Sequence, residues 1–385
     1  MINRTAAARL IKLANSFRSV AVVGPRQSGK TTLCKTVFPN KPYISLENPD
    51  ILEFAKTDPR GFLAQYKNGA ILDEIQRATH LFSYLQQVLD ETKKKGLFIL
   101  TGSNNFLLQE NISQSLAGRI TYLQLLPLSL QELKEVKKLK SDYGWHILHG
   151  GYPEVITKKI NAADWFAGYI NTYVERDVRQ LKNISNLSQF TKLLKLCAGR
   201  TGQILNLTSL SNDCGIDQKT VAAWLSVLQS SYIIYLLKPY HGNFNKRIIK
   251  TPKLYFYDTG VACSLLGINN AKQITTHAAK GGLFENMIVS ELLKERFNAG
   301  IADNLYYWRD KTGNEVDIVL DKAGKLTAME LKAGETISQD FFKGIEYFAA
   351  LNTKAIEKIL VYGGKEEQKR SNGIVVKPWD KLTEL

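Results

Sequence analysis

The spacing of apolar and polar positions changes along the chain, and each change predicts a different kind of element. Three short apolar runs, "SVAVV", "GAIL" and "GLFIL", each lead into polar residues, which is typical of buried parallel strands that end at a functional edge. Residues 126–188 are predicted to be helices joined by lysine-rich turns such as "KEVKKLK". The chain is therefore predicted to begin with an α/β unit that helices follow.

The middle of the chain has a different pattern. "TSLSNDCGIDQKTVAAWLSVLQSSY" predicts two helices around a turn at Gly215, with Asp217 capping the second helix. The apolar face of that second helix consists of Val221, Trp224, Leu225 and Leu228. "YIIYLLKPY" and "KRIIKTPKLYFYD" flank "HGNFN" and predict a β-hairpin. Helix–turn–helix followed by a hairpin predicts a winged helix over residues 189–250.

The last third predicts a helix and then strands. "GGLFENMIVSELLKERF" has a helical pattern with Glu285 near its start. "LYYWRD", "NEVDIVL" and "KLTAMELKAG" predict three successive strands, the last two joined by the turn "DKAG". Strand alternation places Glu330 and Lys332 on one face, where Asp317 of the neighbouring strand would meet them.

Length and composition limit the class of protein. A chain of 385 residues suggests two or three domains. The four cysteines form no C-x-x-C pair, which argues against a zinc site or a disulfide framework and suits a reducing cytosol. No apolar run is long enough to cross a membrane, so we expect a soluble, cytoplasmic protein with no membrane partner. The basic N-terminus is typical of a transit peptide too, but cleavage would remove the support of the motif at Gly24, so a short basic helix is predicted.

The positive charge indicates an anionic partner. A formal net charge of +15 favours nucleic acid, although a lysine-rich surface alone gives the same balance. Segment 238–253 contains two aromatic residues and no acid. Its cations are Lys238, Lys246, Arg247, Lys250 and Lys253, interleaved with Tyr240 and Phe244. This basic hairpin is predicted to contact DNA by phosphate pairing and stacking, while a protein-docking winged helix is the alternative.

A phosphate-binding motif follows the first apolar run. "GPRQSGKT" matches G-x-x-x-x-G-K-T from Gly24 to Thr31, between a predicted strand and a predicted helix. Gly24 and Gly29 allow the backbone amides to point at phosphate oxygens, Lys30 reaches the β- and γ-phosphates, and the Thr31 hydroxyl binds Mg²⁺. The predicted nucleotide contacts are Gly24, Pro25, Arg26, Gln27, Ser28, Gly29, Lys30, Thr31 and Thr32. ATP and Mg²⁺ are the expected cofactors.

Two further strand ends supply candidate chemistry. "GAILDEIQR" places Asp73 to hold Mg²⁺ through water and Glu74 to act as general base on the attacking water, which favours a hydrolase over a kinase. An acidic helix cap is the alternative. In "GLFILTGSNNFLL", Ser103 or Asn104 would sense the γ-phosphate, unless these residues form a plain turn. Arg119 in "SLAGRI" is either an arginine finger or a surface arginine.

These motifs together carry a resemblance. "VVGPRQSGKTTL", "LDEIQ", "LTGSNN", "SLAGR", "LPLSLQE", "GGYPEVI" and "YVERDVRQL" resemble, in this order, prokaryotic AAA-type ATPases that carry a C-terminal domain of unknown function of the DUF4143 type. The resemblance spans nearly the whole chain. It implies that Arg119 is an arginine finger acting in trans on ATP of a neighbouring subunit, and hence a homo-oligomer.

The C-terminal carboxylates suggest a second chemistry. Asp317 and Glu330 would bind one or two Mg²⁺ ions, and Glu285 would complete the metal shell. Lys332 would either orient the attacking water or neutralise the pentavalent transition state. This set resembles the PD-(D/E)-x-K nucleases, although no proline precedes Asp317. The resemblance implies a restriction-endonuclease-like α/β domain. Such a fold keeps its shape when catalysis is lost, so the alternative is an ATPase switch with an inactive docking module.

The expected fold is α/β with four parts. Residues 1–125 form an AAA-like P-loop ATPase core and residues 126–188 a helical lid. Residues 189–250 form a winged helix and residues 251–385 a nuclease-like domain. The expected function is ATP hydrolysis coupled to DNA binding or cleavage.

Overall fold

The computed structural model describes residues 2–103, 116, 118–158, 160–174, 186–242, 250–352 and 355–384. The chain forms two compact units. The first unit contains Met1–Leu128, Ser230–Tyr232 and Lys294–Ala302, and the second contains Ser129–Gln229, Ile233–Leu293 and Asp303–Leu385. The described residues from Ser129 to 188, which belong to the segment expected as a lid on the nucleotide domain, are thus part of the second unit.

A parallel sheet forms the centre of the first unit. Its strands are β1 (Ser19–Val23), β2 (Tyr43–Ser45), β3 (Ala70–Asp73), β4 (Phe98–Gly102) and β5 (Ile120–Gln124). They lie in the order β2-β3-β4-β1-β5, and every neighbouring pair is parallel. The three strands predicted from apolar runs are confirmed as β1, β3 and β4. Because β4 lies between β1 and β3, the ends of all three meet at one edge.

Helices connect these strands and cover the sheet. They are α1 (Ala6–Ser16), α2 (Lys30–Val37), α3 (Pro49–Thr57), α4 (Pro59–Ala64) and α5 (Leu81–Glu91). β1, β3 and β4 are buried at every position, as expected for parallel strands covered on both faces. The predicted short N-terminal helix is confirmed as α1, which packs Leu10 and Leu13 into the same core as Val20 and Val22.

The first part of the second unit is helical, as predicted. It contains α6 (Leu130–Glu135), α7 (Tyr143–His149), α8 (Pro153–Thr157), α9 (Ala162–Tyr169), α10 (Leu187–Gly199), α11 (Leu207–Cys214) and α12 (Gln218–Ser230). Gly215 adopts the left-handed conformation after α11, and the Asp217 carboxylate accepts from Thr220 N at 2.9 Å at the start of α12. Val221, Trp224, Leu225 and Leu228 of α12 are buried. The predicted helix–turn–helix pattern therefore has the expected local geometry.

A small sheet follows α12. β6 (Gln203–Ile204), β7 (Ile234–Leu237) and β8 (Lys253–Phe256) form an antiparallel sheet in the order β6-β8-β7. β7 and β8 pair as the predicted hairpin does, with Leu237 opposite Lys253. Residues 243–249, and with them Phe244, Lys246 and Arg247, lie outside the described residues.

The remainder of the second unit surrounds a mixed sheet in the order β13-β14-β12-β11-β10-β9. Its strands are β9 (Leu305–Arg309), β10 (Glu315–Lys322), β11 (Lys325–Lys332), β12 (Glu357–Tyr362), β13 (Gln368–Lys369) and β14 (Ile374–Pro378). The helices are α13 (Thr259–Leu265), α14 (Ala271–Thr276), α15 (Lys280–Ala299) and α16 (Lys343–Ala350). The last six residues of α15, Lys294–Ala299, are counted with the first unit. β10 and β11 form the predicted hairpin, with Lys322 opposite Lys325.

Two expectations from composition concern the whole chain. Within the described ranges, no helix is both long enough and apolar enough to span a bilayer. The four cysteines, Cys34, Cys197, Cys214 and Cys263, are buried free thiols. Burial raises the pKa of each thiol, so these side chains are poor nucleophiles.

Candidate functional site

The phosphate loop connects the carboxyl end of β1 to the first turn of α2. Gly24 and Gly29 have φ angles of 152° and 94°, which side chains rarely adopt. A Cβ atom on Gly24 would lie 2.1 Å from the carbonyl oxygen of Leu125, so only glycine fits there. Gln27 has a φ of 59° without being glycine. The glycines predicted from the motif are thus required by the backbone path.

Lys30 lies inside this loop. Its Nζ donates hydrogen bonds to the carbonyl oxygens of Gly24 at 3.0 Å and Pro25 at 2.7 Å, and the residue is only 5% exposed. Burial lowers the pKa of Lys30 to about 8, against the opposing charges of Glu74 and Asp73. The Ser28 hydroxyl is buried here without a hydrogen-bond partner. A loop that holds an ammonium group and an unpaired hydroxyl at a helix start fits the phosphates of a nucleotide.

The Asp73 carboxylate accepts hydrogen bonds from the hydroxyl groups of three neighbouring elements. The Thr31 hydroxyl lies 3.1 Å from both carboxylate oxygens, and the Tyr43 hydroxyl donates to Oδ2 at 2.6 Å. The Thr101 hydroxyl also donates to Asp73. Thr31 and Asp73 supply oxygen ligands of the type that Mg²⁺ prefers, so these residues fit the predicted metal.

Glu74 has a separate set of partners. Its φ of 56° is left-handed, which turns it away from the direction of the strand. The Gln76 amide and the Ser103 hydroxyl, the latter at 3.3 Å, both donate to Glu74 Oε2. Ser103 therefore contacts the predicted general base, whereas Asn104 lies outside the described residues. That Asp73 binds Mg²⁺ and Glu74 acts as general base remains a prediction. The different hydrogen-bond partners of the two carboxylates are compatible with it.

The remaining loop residues take peripheral positions. Pro25 is buried, Arg26 and Gln27 are progressively more exposed, and Thr32 is exposed on α2. The positive charge of Arg26 contributes to lowering the pKa of Lys30.

Sequence reasoning did not identify four residues that shape this site. Tyr43, Thr101 and Gln76 contact the two carboxylates, as described above. Arg4 donates to the carbonyl oxygens of Ser28 at 2.8 Å and Leu126 at 2.7 Å. Thr101 follows the apolar run of β4, and Gln76 lies in "DEIQ" beside the two carboxylates, so their places in the sequence indicated that they lie near the site. The sequence around Arg4 gives no such indication.

Arg119 lies at the other end of the sheet. It precedes β5, and Ser19 N at the start of β1 donates to the Arg119 carbonyl at 3.3 Å. The phosphate loop follows the opposite end of β1, about 16 Å away at 3.3 Å per residue. The Arg119 guanidinium forms a bidentate pair with Asp90, at 2.5 Å from Nε and 2.8 Å from Nη2. Arg119 therefore cannot contact the phosphates bound by its own chain, and action in trans stays a prediction.

The second unit assembles the other predicted residues in a cluster of charged side chains. The Nζ of Lys253 lies 2.8 Å from Glu285 Oε1 and 3.5 Å from Asp317 Oδ1, and it also contacts Glu315. The Nζ of Lys332 lies 2.5 Å from Glu330 Oε1 and 3.9 Å from Asp317 Oδ2. Asp317, Glu330 and Lys332 thus meet as the strand pattern predicted, and Glu285 of α15 lies beside them through its contact with Lys253. We call these four residues, together with Lys253 and Glu315, the charge cluster.

The position of Lys253 corrects one prediction. Lys253 was expected among the DNA-contacting cations of the basic hairpin, but its side chain is only 3% exposed. It lies at the start of β8, paired with Leu237 on one side and Ile204 on the other, and its ammonium points into the charge cluster. Lys238 and Lys250 are the exposed cations among the described residues of that segment. The carboxylates that bind Lys253 are distant in sequence. The local run of cations therefore could not show that the Lys253 side chain is buried, and its predicted contact with DNA is wrong.

Burial dominates the electrostatics of the charge cluster. It raises the pKa of Glu285 to about 7 against the opposing charge of Lys253. It raises the pKa of Glu330 to about 8, with Asp317 adding to the effect and Lys332 opposing it. The Tyr255 hydroxyl donates to Glu285 at 2.5 Å, and Leu331 N donates to Asp317 Oδ2 at 2.9 Å.

The cluster does not have the geometry of the expected metal shell. In the part of the chain that the structure describes, no group of three or more histidine, cysteine, aspartate or glutamate side chains is placed to hold a metal ion. The ammonium of Lys253 lies among the oxygens of Glu285, Glu315 and Asp317 instead. These carboxylates therefore fit an internal lysine better than Mg²⁺.

Family models match three successive parts of the chain. A model described as an AAA domain matches residues 16–134, and one described as a domain of unknown function (DUF4143) matches residues 280–382. Another domain of unknown function (DUF8612) matches residues 140–272, across the predicted lid and winged helix.

Relatives match over most of the chain. An uncharacterized protein of Mycobacterium tuberculosis is 30% identical over 387 residues, covering 98% of this chain and 84% of that protein. The chain belongs to the family of AAA-domain proteins that carry DUF4143. An uncharacterized protein of Methanocaldococcus jannaschii is 24% identical over 352 residues, covering 83% of this chain and 75% of that protein. The resemblance to AAA-type proteins with a DUF4143 domain is confirmed.

A solved structure is similar in outline. The Walker-type ATPase PABY2304 of Pyrococcus abyssi has 15% sequence identity and a TM-score of 0.48, covering 69% of this chain and 96% of that chain. The P-loop assignment of the first unit therefore rests on the AAA family match, the parallel sheet and the geometry of the phosphate loop.

The lowered pKa of Lys30 predicts how nucleotide affinity depends on pH. The ammonium form is present below pH 8 and is lost as the pH rises through about 8, whereas bound phosphate favours that charged form. We expect ATP affinity to be constant below pH 8 and to fall by up to about tenfold per pH unit above it. Calorimetric titration between pH 7 and 9.5 checks this, with proton uptake counted from two buffers.

A Lys30→Arg variant is the matched control, because arginine keeps its charge throughout this range. Its affinity should be independent of pH between 7 and 9.5. A native affinity that does not change across the range would contradict the prediction.

Proposed function

We propose that the protein binds ATP with Mg²⁺ and hydrolyses it at the phosphate loop. The observation that carries this proposal is the pair of adjacent carboxylates with separate partners. Asp73 lies beside the Thr31 hydroxyl, and Glu74 is held by Gln76 and Ser103 at the same sheet edge. A phosphate loop alone suits kinases and hydrolases equally, but a carboxylate oriented for a water molecule favours hydrolysis.

Each side chain has a distinct task in this mechanism. The loop amides and the Lys30 ammonium bind the β- and γ-phosphates. Thr31 and Asp73 would hold Mg²⁺, and a bound Mg²⁺ would supply positive charge to neutralise the phosphates. The Glu74 carboxylate accepts a proton from the attacking water, while the Gln76 amide and the Ser103 hydroxyl fix its orientation.

Replacement of the general base tests the proposal. We expect Glu74→Gln to lower kcat for ATP hydrolysis by about 10²- to 10⁴-fold, because the amide cannot accept the proton. ATP affinity should change little, since the loop contacts remain. Lys30→Ala should instead abolish binding. Steady-state phosphate release and calorimetric ATP titration measure the two effects.

Glu53→Gln is the control, since Glu53 is an exposed carboxylate on α3. It should hydrolyse ATP at the native rate. Native turnover in Glu74→Gln would refute the assignment of the base, and an absence of ATP binding by the native chain would refute the whole proposal.

The proposal includes a homo-oligomer in which Arg119 acts on ATP of a neighbouring subunit. Its position at the sheet end away from its own phosphate loop supports action in trans. The side chain is 28% exposed, and the two hydrogen bonds that it donates to Asp90 fix its orientation. A guanidinium held in a fixed direction loses less conformational freedom when it meets a phosphate.

Mixing two inactive variants tests this arrangement. Arg119→Ala keeps its phosphate loop and Lys30→Ala keeps its arginine, so only a mixed oligomer joins the two intact parts. We expect each variant alone to be at least about 10³-fold slower than the native chain and their mixture to regain part of the turnover. Phosphate release as a function of mixing ratio measures this.

Arg18→Ala is the matched control, because Arg18 also contacts Asp90, at 3.4 Å. Mixing it with Lys30→Ala should give no gain beyond its own activity. Failure of the Arg119→Ala mixture to regain turnover would contradict action in trans.

The finer part of the proposal is that nucleotide state controls DNA binding by the second unit. The net charge of +15 and the α-β-α-α-β-β order of α10, β6, α11, α12, β7 and β8 support a DNA-binding winged helix. Lys238 and Lys250 are exposed beside this sheet. Cleavage of DNA at Asp317 and Glu330 is not part of this proposal, because Lys253 lies among the carboxylates that would have to bind the metal ions.

Charge reversal tests the DNA surface. We expect the double variant Lys238→Glu and Lys250→Glu to weaken binding of a duplex and to reduce the slope of log K against log salt by about 2, as phosphate contacts are lost. Fluorescence anisotropy across a salt series measures both quantities.

The double variant Lys56→Glu and Lys67→Glu is the control. It makes the same change in net charge at exposed positions of the first unit. Equal loss of binding in both double variants would indicate non-specific charge attraction. Unchanged binding in the Lys238 and Lys250 variant would favour protein docking.

A further inference from the structure

The charge cluster contains a cation supplied by the chain itself. Lys253 Nζ contacts carboxylates from two elements: Glu285 of α15 at 2.8 Å, and Glu315 and Asp317 of β10, the latter at 3.5 Å. Its side chain is 3% exposed, while those of Glu285 and Asp317 are 13% and 11% exposed. The ammonium group is thus at the position where three carboxylates converge.

We propose that Lys253 takes the place of a divalent metal ion, so that the charge cluster is a metal-independent ionic centre. The inference concerns only the second unit and does not depend on ATP hydrolysis. It departs from the metal-dependent nuclease that the pattern of Asp317, Glu330 and Lys332 suggested. In this arrangement the same carboxylates join α15 to β8 and β10 through a buried lysine.

The backbone holds Lys253 in place. β8 is the central strand of its sheet, and Lys253 is paired with both Leu237 and Ile204. The Tyr307 ring, with its centroid 5.6 Å from Nζ, lies on another side of the ammonium. If the Lys253 side chain moved to solvent, the carboxylates would remain buried without a positively charged partner, which is strongly unfavourable. A metal ion in water therefore does not readily displace it.

Charge balance leads to the same conclusion. The carboxyl groups of Glu285, Glu315, Asp317 and Glu330 already face three cations, Lys253, Lys332 and Arg309, with Arg309 3.0 Å from Glu315. Burial also raises the pKa of Glu285 and of Glu330, which favours their neutral forms. A divalent ion added to this set would give it excess positive charge in a buried place. Magnesium–oxygen distances of about 2.1 Å would also require the carboxylates to close in on space that the ammonium fills. Removing the Lys253 ammonium would take away one positive charge and would free the space that a metal ion needs.

The experiment is to remove this cation and measure metal binding. The full-length chain with Asp73→Asn, which disables the metal ligand at the phosphate loop, is titrated with Mn²⁺ alone, and free Mn²⁺ is followed by electron paramagnetic resonance. We expect no binding at the charge cluster in this background. Adding Lys253→Met should create one Mn²⁺ site per chain, because the carboxylates then lack their cation, with an affinity at least about tenfold above any residual binding by the Asp73→Asn chain.

Lys332→Met is the matched control. Lys332 is 33% exposed and contacts Glu330 and Asp317, but its removal leaves Lys253 in the centre. This variant should gain no Mn²⁺ site. A gain equal to that of Lys253→Met would overturn the proposal, since any missing lysine would then suffice.

Folding is monitored separately by tryptophan fluorescence. All five tryptophans belong to the second unit, so their emission reports on this unit alone. They are Trp145, Trp165, Trp224, Trp308 and Trp379. A folded Lys253→Met variant without a new Mn²⁺ site overturns the proposal.

If Lys253→Met does not fold, the Asp73→Asn chain is compared with and without Asp317→Asn. Stoichiometric Mn²⁺ binding that Asp317→Asn abolishes overturns the proposal, because the native cluster would then hold a metal beside its lysine. Absence of binding in both supports it.

Discussion

The hydrogen bonds around the Asp73 carboxylate are the constraint on which the nucleotide site depends. They connect the phosphate loop to a strand that is not its neighbour, because β4 separates β1 from β3. Thr31 from α2, Tyr43 from β2 and Thr101 from β4 all donate to this carboxylate. One buried acid thus aligns the ends of successive strands. Glu74 follows this acid directly and lies at the same edge, where Gln76 and Ser103 donate to its carboxylate.

The two sites contrast in how they neutralise buried acids. Asp73 is partnered by neutral hydroxyl groups, which stabilise a carboxylate without supplying positive charge. Such a carboxylate can still attract a cation that arrives with a nucleotide. The acids of the charge cluster are partnered by Lys253 and Lys332, so much of their charge is already balanced. The two sets of acids therefore differ in the charge of their partners, and we expect this difference to decide which of them attracts a metal ion.

Much of the local structure follows from the sequence. The phosphate motif, the strands β1, β3 and β4, the helix–turn–helix pattern and the β10–β11 hairpin depend on periodicity and turn residues that are close in the chain. The meeting of Asp317, Glu330 and Lys332 follows from strand alternation in the same way. Glu285 also lies where the helical pattern suggested. These predictions succeed because neighbouring residues determine them.

Other features depend on contacts that local patterns do not reveal. Lys253 belongs to a run of cations, yet its partners Glu285 and Asp317 are 32 and 64 positions further along the chain. Burial of a lysine is favourable only once those acids are brought to it by the fold. The assignment of Ser129–Gln229 to the second unit likewise arises from packing between distant segments. Arg4 is ordinary in sequence and becomes important through its hydrogen bonds to Ser28 and Leu126.

The contact from Arg4 has a consequence for the direction of a peptide plane. In a trans peptide the carbonyl of one residue and the amide of the next point opposite ways. Because Arg4 binds the Ser28 carbonyl, the Gly29 amide of the same peptide plane points away from the Arg4 guanidinium. A chain that lacks its first four residues would keep every residue of the phosphate-binding motif but would lose the hydrogen bond from Arg4 to the Ser28 carbonyl. Competence of the loop is thus partly encoded twenty residues upstream of its first glycine.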